Sequence, residues 1–160
     1  GAELNTIQEQ LLVEGRMLIP MPELQTIMAG YRAFIPEVPR WRDRSFAAAM
    51  ATKQITNRFG RVRRLLEPAD KIRGISFNDP IQSTGADFIN IGFIKLDKGG
   101  AGLVNQVHDN VVVLCRYGDK ESVRQQILEA FSHTIPIDGR DVRVTMEVRW
   151  GESWGELQSF

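Results

Sequence analysis

The chain has 160 residues, 42% of them apolar, which is enough for one domain with a sizeable core. Its 20 basic and 20 acidic side chains cancel, so bulk charge points to no polyanionic partner. No apolar run reaches the roughly eighteen residues a membrane span needs, and no signal-peptide pattern is present.

The lone cysteine, Cys115, can form no internal disulfide. It fits a reducing compartment and reads as a buried thiol alternating within a strand. The chain opens on Gly1 rather than Met, which suggests processing, a tag or excision from a longer reading frame.

Apolar Leu4, Ile7, Leu11 and Leu12 recur at three- and four-residue steps and predict a helix from about Leu4 to Glu14, ended by Gly15. Pro22 suits the first turn of a second helix with Leu24, Ile27, Met28 and Tyr31 on one face. Pro36 and Pro39 punctuate before a third, about Arg40 to Lys53, whose alanines favour helix. Ile55 to Leu65 reads as a small hairpin around Gly60, and Glu67 to Asp70 as a loop. A long helix is expected from about Phe77 to Lys95, with Pro80 near its start and Ile81, Phe88, Ile91 and Ile94 facing inward.

Gly99-Gly100-Ala101-Gly102 reads as a flexible turn. It lacks GxGxxG spacing and precedes a strand, which excludes a dinucleotide loop. Leu103–Val107 and Asn110–Leu114 then read as two buried strands separated by His108-Asp109. A helix from about Lys120 to Ser132 follows, and a final strand near Val142 to Val148. His133 is read as a helix C-terminal residue suited to the macrodipole. This order indicates an α+β fold, an antiparallel sheet with helices packed on one side plus a helical extension.

No HExxH, paired CxxC, GxSxG or Walker sequence occurs, so the common zinc, hydrolase and NTPase chemistries are excluded. His108 and His133 are not at metal-ligand spacing. Two features stand out. From Ser45 to Leu66 there is no acidic residue, while Lys53, Arg58, Arg61, Arg63 and Arg64 fall inside; such a run is either a solvated turn or a set of guanidinium forks for phosphate. The second is the His108-Asp109 turn, because primed two-residue turns prefer Asn-Gly, Asp-Gly or Gly-Gly. A carboxylate at such a tip is either an ordinary surface turn or one placed for chemistry.

Ordered blocks favour the chemistry. Gln106-Val107-His108-Asp109 resembles motif C of family A DNA polymerases, the bacterial DNA polymerase I and related phage enzymes. Asn78-Asp79-Pro80-Ile81-Gln82-Ser83-Thr84-Gly85-Ala86-Asp87 resembles that family's Asn-x-Pro-x-Gln-Gly-Thr-Ala-Ala-Asp segment. Thr56 to Arg64 is similar to its Thr-x-x-Gly-Arg-x-Arg hairpin, Tyr31 to Pro36 to its Tyr-x-x-x-x-Pro, and Glu147 to Glu156 to its Gly-x-x-Trp tail. The likeness runs from about Tyr31 to the end.

The resemblance implies a palm-type antiparallel sheet, with residues 1–71 a helical remnant of the fingers carrying the basic hairpin and 72–160 the C-terminal half of the palm. It implies that Asp109 ligates Mg2+ for two-metal nucleotidyl transfer, with hard oxygen ligands and two ions about 4 Å apart. His108 and Gln106 would lie beside the primer terminus, and Gln82 and Asn78 would meet minor-groove acceptors. The alternative for those two amides is capping of a helix start. Arg73 stands one place before the family's minor-groove arginine, whose position is Gly74; Arg61, Arg63 and Arg64 would meet phosphates. Partners implied are primer–template DNA, deoxynucleoside triphosphates and an N-terminal polymerase half, with no membrane, in the cytoplasm of a bacterial or virus-infected cell.

Asn110 replaces the Glu usual after the motif C aspartate. The family's motif A aspartate and triphosphate-gripping helix have no counterpart here, so the chain alone is expected to be inactive. Two other readings stand beside the polymerase segment: a non-catalytic duplex-binding module of the same descent, and an interaction protein with coincidental blocks. An incomplete palm further predicts exposed apolar surface, an open strand edge and self-association.

Overall fold

The computed structural model describes residues 2–160, with side chains from Leu4 onward. The chain divides into two compact units, Gly1–Ala48 and Ala49–Phe160. The first holds α1 (Ala2–Val13), α2 (Met21–Phe34) and most of α3 (Glu37–Thr52). The connection between α1 and α2 is tied by Gln8 Nε2 donating to the Ile19 carbonyl at 2.6 Å. Pro22 sits in the first turn of α2, where its missing N–H costs nothing, and Leu24 is the buried residue of that helix.

The second unit begins with a hairpin, β1 (Gln54–Thr56) and β2 (Val62–Arg64), as the sequence predicts. Its loop turns at Gly60, whose φ of 87° suits glycine. Next comes α4 (Ala69–Lys98), a 30-residue helix. It starts eight residues before the expected Phe77, so the loop stops at Pro68 and Pro80 lies inside the helix, not at its start. The reason is a row of buried positions at four-residue steps: Ile72, Ser76, Thr84, Phe88, Gly92 and Leu96, with Pro80 half-buried among them. Tertiary burial on both sides of Pro80 outweighs its propensity cost. The buried hydroxyls bond to their own helix, Ser76 Oγ to the Arg73 carbonyl at 2.8 Å and Thr84 Oγ1 to the Pro80 carbonyl at 2.5 Å. Of the expected inward residues, Phe88 is buried but Ile81 and Ile94 are exposed.

The strands β3 (Leu103–Val107) and β4 (Asn110–Val113) form a second hairpin, followed by α5 (Lys120–Ala130). A third hairpin, β5 (Thr134–Ile137) with β6 (Arg140–Arg143), and a short pair, β7 (Arg149–Trp150) with β8 (Gln158–Ser159), complete the unit. The class is α+β. Its antiparallel pairing takes the form of four two-stranded ribbons among the described residues, not one wide sheet. The strand expected near Val142–Val148 forms earlier, as β6, and ends at Arg143; Asp138 and Gly139 turn the chain so that Val142 pairs back with Ile135.

Phe88, Ile89, Leu96, Ala130 and Phe131 make the core, with Leu103, Val111, Val113, Ile127 and Ile135 packed against it. His133 lies past the end of α5 and staples the two helices. Its ring stacks on Phe88 with centroids 4.3 Å apart, while Nδ1 and Nε2 lie 3.2 and 3.1 Å from the Ala130 and Phe88 carbonyls. Cys115 is exposed beyond the end of β4, which corrects its reading as a buried strand thiol. The last ribbon is held by Lys120, whose ammonium sits 3.7 Å from the Trp150 ring centroid and 4.9 Å from that of Tyr117. Among the described residues no helix is long and apolar enough to cross a membrane.

Candidate functional site

The β3–β4 hairpin closes through His108-Asp109, with Val107 paired to Asn110 and Gln106 to Val111. His108 has a φ of 54°, in the left-handed region that a non-glycine residue enters only at some cost. Only one side of the ribbon is held: Leu103, Val111 and Val113 reach the core, whereas Val104 to Asn110 are exposed. The turn therefore lies at the end of a surface ribbon and not between two buried strands. A register irregularity between Leu103 and Asn105 adds twist at its base. Gln106, His108 and Asp109 thus share one exposed tip. Asp109 Oδ1 accepts from Asn110 Nδ2 at 3.2 Å, and among the described residues no cationic side chain engages it.

Asn78 and Gln82 stand one turn apart on α4, both exposed. Both lie well inside the helix, so neither is a cap. At about 100° per residue, Arg73 falls about 180° around the axis from Gln82. Because α4 is continuous through both positions, Arg73 stands on another side of the helix from Gln82.

The neighbouring row, Asp79, Ser83 and Asp87, carries the basic hairpin. Arg63 donates through Nη1 to Asp79 at 2.6 Å and through Nη2 to Glu67 at 2.6 Å. Arg61 reaches Asp87 through Nε at 3.1 Å and the Ser83 carbonyl through Nη2 at 3.2 Å. Both guanidiniums keep an exposed edge, with 54% of the Arg61 side chain and 43% of that of Arg63 still accessible. Asp79 and then Glu67 hold the Arg63 guanidinium above its ordinary pKa. Glu67 is held below its usual value, first by its own backbone N–H and next by Arg63. Arg64 is exposed and makes no ion pair among the described residues.

Sequence reasoning missed Asn57, which is 6% exposed. Its Nδ2 donates to Asp87 Oδ2 at 2.5 Å and to the Ser83 carbonyl at 3.2 Å. Its Oδ1 accepts from the Phe59 and Arg61 amides at 3.0 and 2.9 Å. An Asn five residues before an arginine-rich strand, with Gly60 between, is a turn signal that could have flagged it.

The surface that results has exposed amides on one row of α4 bordered by guanidiniums. Such a surface can donate to acceptors in a groove and to phosphates beside it. As a metal site the chain is incomplete. Asp109 offers one carboxylate, and among the described residues no three His, Cys, Asp or Glu side chains are grouped to hold one ion. One carboxylate and an amide do not by themselves fit a pair of divalent ions.

The sequence profile of DNA polymerase family A matches residues 7–156. Among curated proteins, the chain is 28% identical over 151 residues to "DNA polymerase I, thermostable" of Thermus filiformis, covering 88% of this chain and 18% of that protein. It is 26% identical over 149 residues to the Thermus aquaticus protein of the same name, covering 86% and 18%. To DNA polymerase I of Aquifex aeolicus it is 28% identical over 163 residues, covering 89% and 28%. Among solved structures, the polymerase domain of Pol1 from M. smegmatis, in complex with DNA primer-template and dNTP, superposes with a TM-score of 0.64 at 21% identity, covering 71% of this chain and 22% of that one. The chain therefore spans less than a third of the length of each of these relatives.

Proposed function

The chain belongs to DNA polymerase family A, and from that premise we propose that it is the C-terminal segment, or a split subunit, of a template-directed DNA polymerase. In this reading residues 1–71 derive from the rear of the fingers and 72–160 from the palm. The observation that carries it is the tip of the β3–β4 hairpin, where the Asp109 carboxylate is exposed at a turn and, among the described residues, is engaged by no cationic side chain. A buried ion pair there would have given Asp109 a structural role.

The reaction is attack of a primer 3′-oxygen on the α-phosphorus of a deoxynucleoside triphosphate, with pyrophosphate leaving. Asp109 would hold one oxygen position of a divalent cation such as Mg2+, which, once its other ligands were supplied, would act there as a Lewis acid. The remaining protein ligands must come from another polymerase segment, so the chain alone is inactive. His108 and Gln106 lie beside the primer end. Gln82 and Asn78 present donors to the minor-groove acceptors that every base pair displays, so they monitor pair geometry without reading sequence. Arg64 and the exposed edges of Arg61 and Arg63 meet phosphates.

The test combines the full chain with the segment carrying the second metal-binding carboxylate and follows primer extension in Mg2+. Asp109→Ala should reduce extension by at least about a thousandfold while leaving the circular dichroism and Tm unchanged. Undiminished extension by Asp109→Ala would overturn the assignment.

One observation favours a second reading, a duplex-binding module without catalysis: among the described residues Asp109 belongs to no group of three His, Cys, Asp or Glu side chains that could hold a metal ion. That module would bind primer–template with an affinity falling steeply with salt. It would not extend primers in any combination.

A further inference from the structure

The basic hairpin and α4 meet through side chains whose arrangement is more specific than packing requires. Asn57 is buried, and both ends of its amide are used. The oxygen closes its own loop by accepting from the Phe59 and Arg61 amides, and the nitrogen crosses to Asp87 and the Ser83 carbonyl on α4. Asp87 in turn takes the Arg61 Nε. Next to this triad the Arg58 amide donates to Thr84 Oγ1 at 3.1 Å. All these α4 partners lie between Ser83 and Asp87, within two turns after Pro80.

That position matters mechanically. Pro80 lacks the N–H that would bond the Ser76 carbonyl, and its ring crowds that turn, so α4 is weakest where it carries Asn78 and Gln82. The loop 57–61 bonds to the far side of that weak point. The same carboxylate that receives the loop also aims the Arg61 guanidinium along the border of the amide row.

We propose that Asn57 and Asp87 are positioning residues: together they clamp the Pro80-weakened segment of α4 to the basic hairpin and so fix Gln82 and Arg61 in one rigid duplex-facing surface. Neither touches DNA. The inference rests on the duplex-binding surface proposed above.

The test uses the full chain and a labelled primer–template duplex, with affinity followed by fluorescence anisotropy across a salt series and Tm recorded for every variant. Asp87→Asn keeps the size of the side chain but removes the charge that aims Arg61. The clamp requires at least about a tenfold weakening of duplex affinity and a salt slope shallower by about one, since one phosphate contact is lost. The exchanged pair, Asn57→Asp with Asp87→Asn, restores one donor–acceptor pair of reversed polarity and keeps a negative charge beside Arg61, but it sets a carboxylate oxygen against the Ser83 carbonyl to which Asn57 Nδ2 donates. It should recover part of the affinity. Hydrogen exchange over residues 83–88 should quicken in the single variant and slow again in the exchanged one.

A folded Asp87→Asn that loses Tm but keeps both affinity and salt slope would overturn the clamp and leave a merely structural contact. Should Asp87→Asn fail to fold, the exchanged pair alone decides, and a folded exchanged variant with no affinity overturns the proposal. If the unsubstituted chain itself binds no duplex at low salt, the duplex-binding surface is wrong and the clamp falls with it.

Discussion

Gly92 of α4 lies directly beneath the ring of Phe131, so closely that a Cβ at position 92 would stand 2.2 Å from Phe131 Cε1. Phe131 is 1% exposed and is also in contact with Phe88, so its ring has no open side into which to retreat. Gly92→Ala would gain about 1 kcal/mol of helix propensity, yet the overlap with a locked ring costs more. The expected net loss is about 1–3 kcal/mol, read from the midpoint of urea denaturation. Combining it with Phe131→Leu should cost less than the two single losses added, because each relieves the other. Simple additivity would show that the two residues do not meet.

Glu67 provides a pH-dependent anchor for the hairpin. Its carboxyl is held below its ordinary value of 4.5 by its own backbone N–H and by Arg63, so the charged form is favoured in the folded chain. A depressed carboxyl stabilises the fold above its unfolded value, and the contribution disappears as pH falls through the lower folded value. The Tm of the native chain should therefore exceed that of Glu67→Gln at about pH 7, and the two should converge as the pH falls below the ordinary carboxylate range. Its position just ahead of α4 acts in the same direction, since a negative charge there favours the helix dipole. A gap that persists unchanged at low pH would assign the stabilisation to packing of the side chain.

What the sequence made legible, and what it hid, follows from which residues carry the burial. α1, α2, the Gly60 hairpin, the His108-Asp109 turn and α5 all announce themselves through periodic apolar residues or turn chemistry. The first eight residues of α4 do not, because the buried row there includes Ser76 and Thr84, small hydroxyls that read as polar and reach satisfaction only through their own helix carbonyls. Gly92 falls inside the predicted helix with nothing in the sequence to show that it is the close approach to Phe131. Pro80 suggested a helix start for the same reason: propensity is local, while the contacts that override it come from distant segments. Of the site, the tip residues were readable as a motif. The roles of Asn57 and Asp87 were not, since they arise from a contact thirty positions apart in the chain.

The proposed duplex surface separates two kinds of contact that experiment can tell apart. Gln82→Ala removes an amide from the exposed row of α4 and should weaken primer–template binding by about 1 kcal/mol, just over fivefold, with no change in salt slope. Arg64→Ala removes an exposed guanidinium that makes no ion pair within the chain, and should flatten the slope by about 0.9. Anisotropy titrations at several salt concentrations check both. If Gln82→Ala flattens the slope and Arg64→Ala does not, the assignment of base-edge and phosphate contacts is reversed.

Exposed apolar side chains are abundant: Leu66 is 94% accessible, Phe34 83%, Val13 79%, and Leu114 and Tyr117 71% each. Single exposed leucines are ordinary, but large apolar groups at this level on several elements leave hydrophobic surface in water that a partner would cover. The strands add to this, because in a two-stranded ribbon each one has an unpaired edge of backbone donors and acceptors. The 160-residue chain on its own should therefore associate with itself at micromolar concentration. Sedimentation velocity should show species larger than the 18.1 kDa monomer, with the proportion rising as concentration is raised. Adding the polymerase segment that the family relationship calls for should replace these species by one stoichiometric complex, because a matched surface buries the same groups with better packing than a second copy can. A monodisperse monomer at every concentration, with cooperative unfolding, would mean that the exposed groups need no cover and that the chain is self-sufficient as a fold.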